Sequence, residues 1–417
     1  MASKDKDSAQ KPAASKKPST AQEGKDAKAQ RELGIVGPHG DMRLASVIIE
    51  GYSLELSDGE GYVGDVASRT AFRHMLDAWR KLYASMEGKD PMGTKPTREL
   101  SKHKLDALLE KDGVAAQAIE AASEDYAMQL AHVVQRFLKH KTWRGVERII
   151  IGGGFHQSEV GGRAIDCTRK ILKAEKVPVE LRTLRHHADE GGLIGWVHLA
   201  PPALLQSYDA ILAVDIGGTN VRCGIVQTHL HRAPDLSLAE VVRREKWAHA
   251  NDEPRRDELV EGIATLLEGL IAYAEKKKIR LAPYIGVACP GLIVEDGSLA
   301  GGTQNLPGNW ESTRFHLPRD LCERLPHIGD GRTQVCLHND AVVQGLSEMP
   351  FMQDVERWAV LTVGTGLGNA SLRAGQNLSS ARLISAAETM RPLKLGGFEV
   401  SYGPEDRSGS RYPWPLV

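Results

Sequence analysis

The sequence predicts an α/β protein of two domains, and three observations carry that expectation. The chain has 417 residues, about twice or three times the roughly 150 of a typical domain. Apolar runs of strand length alternate with stretches of helical spacing, the pattern of α/β layers. Several of the buried apolar runs end in glycine-rich turns, the arrangement that brings bare backbone to a ligand.

Composition narrows the function classes. Charged residues make up 26% and apolar ones 41%, ordinary for a globular protein with a sizeable core. With 53 Lys and Arg against 54 Asp and Glu, no global basic field attracts nucleic acid or an anionic membrane. An aromatic content of 5% gives little support to a base-stacking surface. No apolar run approaches the ~20 residues that cross a bilayer. The basic start MASKDKDSAQKPAASKK lacks the apolar core of a secretory signal, so a cytoplasmic protein is expected. Five scattered cysteines without a CxxC pair argue against a disulfide framework and against zinc.

Residues 1–40 are rich in Lys, Ala, Ser and Pro and read as a disordered tail. LASVIIEGYSLEL (44–56) reads as strand, and 67–85 as a helix with Phe72, Met75, Leu76, Trp79 and Leu82 on its apolar stripe. One long helix is expected over about 104–138, then a buried strand RIIIGGG (148–154). A helix at 158–175, a strand at 177–184 and a short apolar helix at 191–200 follow. PPALLQSYD (201–209) reads as a linker. AILAVDIGGTNVRCGIVQT (210–228) is two apolar strands about a tight polar bend, a β-hairpin. Beyond it come a helix at 255–278, strand 284–290, helices near 317–324 and 340–348, and strand 358–364. His186, His187 and Asp189 lack the spacing of a metal site.

The bend Asp215-Ile216-Gly217-Gly218-Thr219-Asn220 is the most informative point. Adjacent glycines let backbone N–H groups approach a ligand with no Cβ in the way. A strand-end Asp suits a hydrated Mg²⁺, which prefers carboxylate and water oxygens. A second such turn, Gly364-Thr365-Gly366, follows the apolar run AVLTV, and a third, Gly152-Gly153-Gly154, follows RIII. Asn339-Asp340 stands at a strand-to-helix junction, where phosphoryl transfer could find a base for its acceptor hydroxyl. Taken singly, each turn is equally a structural bend, and Asp340 equally the N-cap of the next helix.

Together the segments resemble a known family. DIGGTNVR (215–222) is similar to the phosphate-1 motif of the sugar kinase and actin superfamily. VACPGLIVEDGSLAGGTQNLPGNW (287–310) resembles the sugar-side stretch of the ROK family of bacterial glucokinases and related hexose kinases. HNDA (338–341) resembles that family's catalytic loop and VGTGLG (363–368) its phosphate-2 turn. The resemblance implies two actin-like, ribonuclease H-like α/β lobes with a sugar-and-ATP cleft between them. It implies Asp340 as the base, Asn339 and Asn305 on the sugar, and Asp215 near Mg²⁺ through water. Gly217, Gly218, Thr219, Gly364, Thr365 and Gly366 would surround the phosphates, with Gly152, Gly153 and Gly154 on the adenosine side.

The segments resembling the family's adenosine side, 148–165 and 186–200, precede the hairpin instead of following the phosphate-2 turn. YVGDVASRTAF (62–72), similar to the family's helix start after its zinc loop, lies farther upstream. A circular permutation is the simplest reading. It divides the chain into a tail (1–40), part of the second lobe (41–200), a linker (201–209), the first lobe (210–345) and a return to the second lobe (346–417). It also requires that 44–66 adjoin the region after 370. The family's zinc loop is missing. Its ExGH sugar motif is not intact, with Glu399 at the Glu position and Tyr402 where His would stand, and Asp65 is placed for the Glu after the zinc loop.

The expected function is therefore ATP- and Mg²⁺-dependent phosphorylation of a hexose, glucose first, by a glucokinase-type enzyme. Two other classes are weighed: a catalytically silent sugar or nucleotide sensor of the same fold, and a sugar-responsive transcriptional repressor. The repressor needs an N-terminal helix-turn-helix that the first 40 residues cannot form. Expected partners are the hexose and ATP, with no nucleic acid, membrane or zinc; a homodimer and a polyphosphate donor are left open.

Overall fold

A computed structural model describes residues 38–375, apart from 45, 58 and 60. The chain begins with β1 (Val47–Tyr52), α1 (Arg69–Glu87), α2 (Lys102–Leu109), α3 (Val114–Leu138), β2 (Arg148–Gly152), α4 (Glu159–Ala174) and β3 (Glu180–Thr183). Two short helices, α5 (Gly191–Ile194) and α6 (Pro202–Ser207), lead into β4 (Ala210–Ile216), β5 (Val221–Gln227) and β6 (Glu240–Trp247). Next come α7 (Arg256–Lys277), β7 (Leu281–Cys289), the small pair β8 (Leu292–Ile293) and β9 (Leu299–Gly301), and α8 (Leu317–Arg324). A second small pair, β10 (His327–Ile328) and β11 (Gly331–Arg332), precedes β12 (Gln334–Asn339) and α9 (Asp340–Ser347). The described chain closes with β13 (Arg357–Val363) and β14 (Leu367–Ala374).

Two five-stranded sheets organise these elements, in the orders β6-β5-β4-β7-β12 and β1-β14-β13-β2-β3. In the first, β4, β5 and β6 form an antiparallel meander, and β7 and β12 run parallel to β4. In the second, β13, β14 and β1 are antiparallel, and β2 and β3 run parallel to β13. Counted from β4 and from β13, the two sheets have the same order and the same strand directions. This duplicated plan is the two-lobed actin-like α/β fold. The second lobe takes β1 from near the start of the chain: Val47 faces Ala374 and Tyr52 faces Ala370. The expected adjacency of the 44–66 stretch and the chain beyond 370 is thus present at the described residues.

Alternating side chains divide the core into three. In β2, Ile149 and Ile151 face α1, α3 and α4, while Ile150 faces inward between the lobes. In β4, Leu212 and Val214 face α7 and α8, while Ile211 and Ala213 face inward. Strands buried on both faces read as unbroken apolar runs, which is why RIII and AILAV are so conspicuous. The inner cluster packs α5, α6 and α9 around Trp196. A Cβ at Gly286 would lie 2.1 Å from that indole, so glycine alone lets the ring rest on β7.

Several expectations need correction. Residues 38–40 of the expected tail are not tail: Leu337 N–H donates to Pro38 O at 2.8 Å and Gly40 N–H to Leu337 O at 2.9 Å, extending the first sheet past β12. Residues 1–37 lie outside the described range. The single helix expected over 104–138 is two, because Gly113 adopts φ +144° between them. Leu82 is 48% exposed and not part of the α1 core stripe. The 201–209 linker is mostly helix α6, started by Pro202 where a missing N–H costs nothing.

Candidate active site

Each glycine turn follows a strand of the two sheets, and both sheets present these ends to one cleft. Asp215 is the penultimate residue of β4, paired with Arg222 across the hairpin and with Ala288 on β7. On the other side of β7, Asn339 pairs with Cys289 and ends β12, so Asp340 opens α9 two strands from Asp215. In the second lobe Gly152 pairs with Thr362, which sets Gly153-Gly154 beside Gly364-Thr365-Gly366. The cleft encloses about 260 Å³, near the lower bound of small-molecule sites at ~300 Å³. Its walls include Asp215, Gly218, Thr219, Asn305, Asp340 and Gly366.

The floor is acidic. Burial pushes the Asp340 carboxyl up to about 7, and the charge of Asp215 adds to the rise. Asp215 is also raised by burial, against the pull of Arg222. Its Oδ2 accepts from Arg222 at 3.1 Å, and Arg222 bonds in turn to Asp189. Lys246 Nζ reaches Asp189 at 2.9 Å. Burial works against the charge on Asp189, yet Arg222 and Lys246 hold its carboxyl down at about 2. The result is a network of alternating charge behind Asp215, with Arg222 fixing the orientation of its carboxylate. Gly192 completes the fit, since a Cβ there would lie 2.8 Å from the Asp215 carboxyl carbon. Gln344, one helical turn beyond Asp340, also lines the cleft, and its buried Oε1 has no partner among the described residues.

The two phosphate-type turns touch across the lobes. Thr219 Oγ1 and Thr365 Oγ1 are 3.0 Å apart. Asn305 sits against both, with its Cβ 2.9 Å from where a Gly218 side chain would begin and its Nδ2 3.4 Å from the same point at Gly366. Gly217 N–H closes the first bend on Asn220 O at 2.9 Å, and Gly364 N–H closes the second on Gly366 O at 3.0 Å. Among the described residues, the N–H groups of Gly218, Thr219, Thr365 and Gly366 donate to no protein atom. Buried His249 braces the first bend, its Nε2 2.8 Å from Gly217 O.

Twelve of the expected residues meet here: Asp215, Gly217, Gly218, Thr219, Asn305, Asn339, Asp340, Gly153, Gly154, Gly364, Thr365 and Gly366. Two stand differently from expectation. Gly152 is strand, and its side-chain direction is filled by Gln344 Oε1 at 2.3 Å from a would-be Cβ. Asn339, expected on the sugar, has its amide fully engaged: Oδ1 accepts from Ala341 and Val342 N–H, and Nδ2 donates to Ser53 Oγ and Gly291 O. Asn339 is therefore the N-cap of α9, which frees Asp340 from the capping role. Asp65 lines the cleft; Glu399 and Tyr402 lie outside the described residues. Sequence reasoning missed Arg69, Asp189, Arg222, His249 and Gln344. Arg222 was visible in principle, because a two-stranded hairpin puts it opposite Asp215.

Among the described residues no group of three or more His, Cys, Asp or Glu is placed to hold a metal ion, and no helix is long and apolar enough to cross a membrane. No family model matches the chain, and no curated protein matches it. Solved structures do. A Cytophaga hutchinsonii protein described as a candidate sugar kinase is 22% identical, covering 40% of this chain and 48% of its own, with a TM-score of 0.30. A Listeria monocytogenes protein described as a candidate N-acetylmannosamine kinase is 24% identical over the same shares, with a TM-score of 0.29. The chain thus spans about half the length of the structures it matches.

Proposed function

We propose that the chain is a sugar kinase of the ROK type in circularly permuted order, transferring the γ-phosphoryl group of ATP to a hexose hydroxyl. One observation carries the reading: two glycine turns from different lobes and a raised carboxyl, Asp340, line the same cleft. The permutation is supported by β1, which completes the second sheet against β14 from the opposite end of the chain.

In this reading the hydroxyl gives its proton to an Asp340 oxygen as its oxygen forms the bond to phosphorus and the bond to ADP breaks. A base with a pKa near 7 is well matched to neutral pH. The undonated N–H groups of Gly218, Thr219, Thr365 and Gly366 meet the phosphate oxygens and hold the charge that develops there. Asn305, between both turns, orients the acceptor. Mg²⁺ fits the donor set: Asp215 and the orphaned Gln344 Oε1 are hard oxygens, and Mg²⁺ arriving with phosphates needs only one or two carboxylates. When bound, it would offset the charge of the phosphate oxygens. Among the described residues, 210–345 would form one lobe, and 41–200 with 346–375 the other, joined through 201–209.

A panel of hexoses, glucose first, with ATP and Mg²⁺ and a coupled assay for ADP tests the reading. Sugar-dependent ADP release that Asp340→Asn abolishes is the expected result. ATP binding without ADP release from any sugar would overturn the kinase and favour a silent sensor.

A further inference from the structure

We propose that Arg69 is a phosphate-binding residue, its guanidinium clamping the terminal phosphoryl group of the donor between the two glycine turns. The inference rests on the sugar-kinase reading for the identity of that donor. Arg69 opens α1, and its place is fixed by backbone contacts: its N–H donates to Gly364 O at 3.0 Å, while the neighbouring Thr70 Oγ1 donates to Thr365 O at 2.8 Å. Its side chain then crosses to the other lobe. One terminal nitrogen lies 3.4 Å from Thr219 Oγ1 and 3.3 Å from Thr365 Oγ1. The guanidinium therefore stands where both turns meet, on the wall of the cleft.

Among the described residues its charge is unanswered. Of the other arginines in this part of the molecule, Arg80 pairs with Asp90 at 2.8 Å and Arg222 with Asp215, while Arg73 donates to Thr97 O at 2.9 Å and Leu100 O at 3.2 Å. Among the described residues Arg69 makes no ion pair, and its side-chain partners are two neutral hydroxyls. Burial and the nearby charges of Arg73 and Arg222 all disfavour its cation. A half-buried cation without a counter-ion is costly, so the site is incomplete without an anion. The undonated N–H groups around it call for the same species, one with several acceptor oxygens. A planar guanidinium meets two phosphate oxygens at once. It keeps its proton throughout, so the transfer step stays as written above, with Asp340 receiving the hydroxyl proton.

The test compares the full chain with Arg69→Gln and Arg69→Lys, titrating ATP, ADP and AMP calorimetrically in Mg²⁺. Losing a charge-assisted contact to the terminal phosphoryl should weaken ATP about 10- to 100-fold in Arg69→Gln. AMP should stay within about twofold of the unaltered protein, and Lys should restore part of the ATP affinity. A purely structural latch would weaken all three nucleotides together, which overturns the proposal. Unchanged ATP affinity in Arg69→Gln, with the unaltered chain still releasing ADP, overturns the Arg69 assignment alone. If the unaltered chain binds none of the three nucleotides, the kinase reading falls and this inference with it.

Discussion

Replacing Asp340 by Asn should stabilise the protein, and by more as the pH rises. The carboxyl moves from 3.8 to about 7 on folding, chiefly through burial, with the Asp215 charge adding to it. A carboxyl raised in this way stays protonated in the folded chain while it ionises in the unfolded one. Stability is therefore lost as pH climbs from the unfolded value to the folded one, and the loss is complete above about 7. Three units at 1.36 kcal/mol each put the full penalty at about 4 kcal/mol. Roughly 2 kcal/mol of it develops between pH 5.5 and 8, across the last part of the rise. Asn has nearly the same shape and no charge, so it removes this penalty. Urea unfolding of both proteins at pH 5.5 and 8, read by tryptophan fluorescence, gives the comparison directly. The stability advantage of Asp340→Asn should be larger at pH 8 by about 2 kcal/mol. An advantage equal at the two pH values, or a variant less stable at pH 8, would refute the claim that burial and Asp215 strain this carboxyl.

Two further substitutions test the surrounding wall. Asp215→Asn takes away the charge that helps raise Asp340, so the acidic limb of the pH–rate profile should move to lower pH. Its Mg²⁺ requirement should rise about 10- to 100-fold, as for a residue acting on a metal through its water shell; an unmoved limb would contradict the coupling. Gly153→Ala places a Cβ 2.4 Å from Val363 O and 2.8 Å from Val363 C and N at φ +81°, against backbone of β13. It should cost about 2–4 kcal/mol by thermal or urea melting. Gly154→Ala meets nothing within 4 Å and should stay within about 1 kcal/mol. Equal losses at the two positions would contradict the packing of this turn.

The elements that were legible in sequence are those whose burial is complete. Strands β2, β4, β7 and β13 are buried along nearly their whole length, and their apolar runs announce them. Strand β6, EVVRREKW, has no fully buried residue; its charges hide it, and only pairing with β5 makes it a strand. Strand β14 is masked by Gly368, Asn369, Ser371 and Arg373, which reveal no apolar run although the strand sits between two others. The glycine turns and Asp340 were readable because bare backbone and a strand-end acid are local features. The side chains that hold them are not local. Arg69 reaches Thr219 across 150 positions and Thr365 across 296, and Asp189 meets Arg222 across 33. The choice of cap was also ambiguous locally: Asn339 and Asp340 are both good N-cap residues, and only Ser53 and Gly291 around the amide of Asn339 decide it.

Hydrogen exchange at the turns, followed by mass spectrometry with and without ATP, Mg²⁺ and a hexose, probes the shared cleft most directly. Slower exchange at 217–220 and 364–366 in the same ligand-bound sample, with 153–154 following, is the result expected of one crevice closed by two lobes. Protection of a single turn, or none while ligand is bound, would mean that these bends serve separate surfaces.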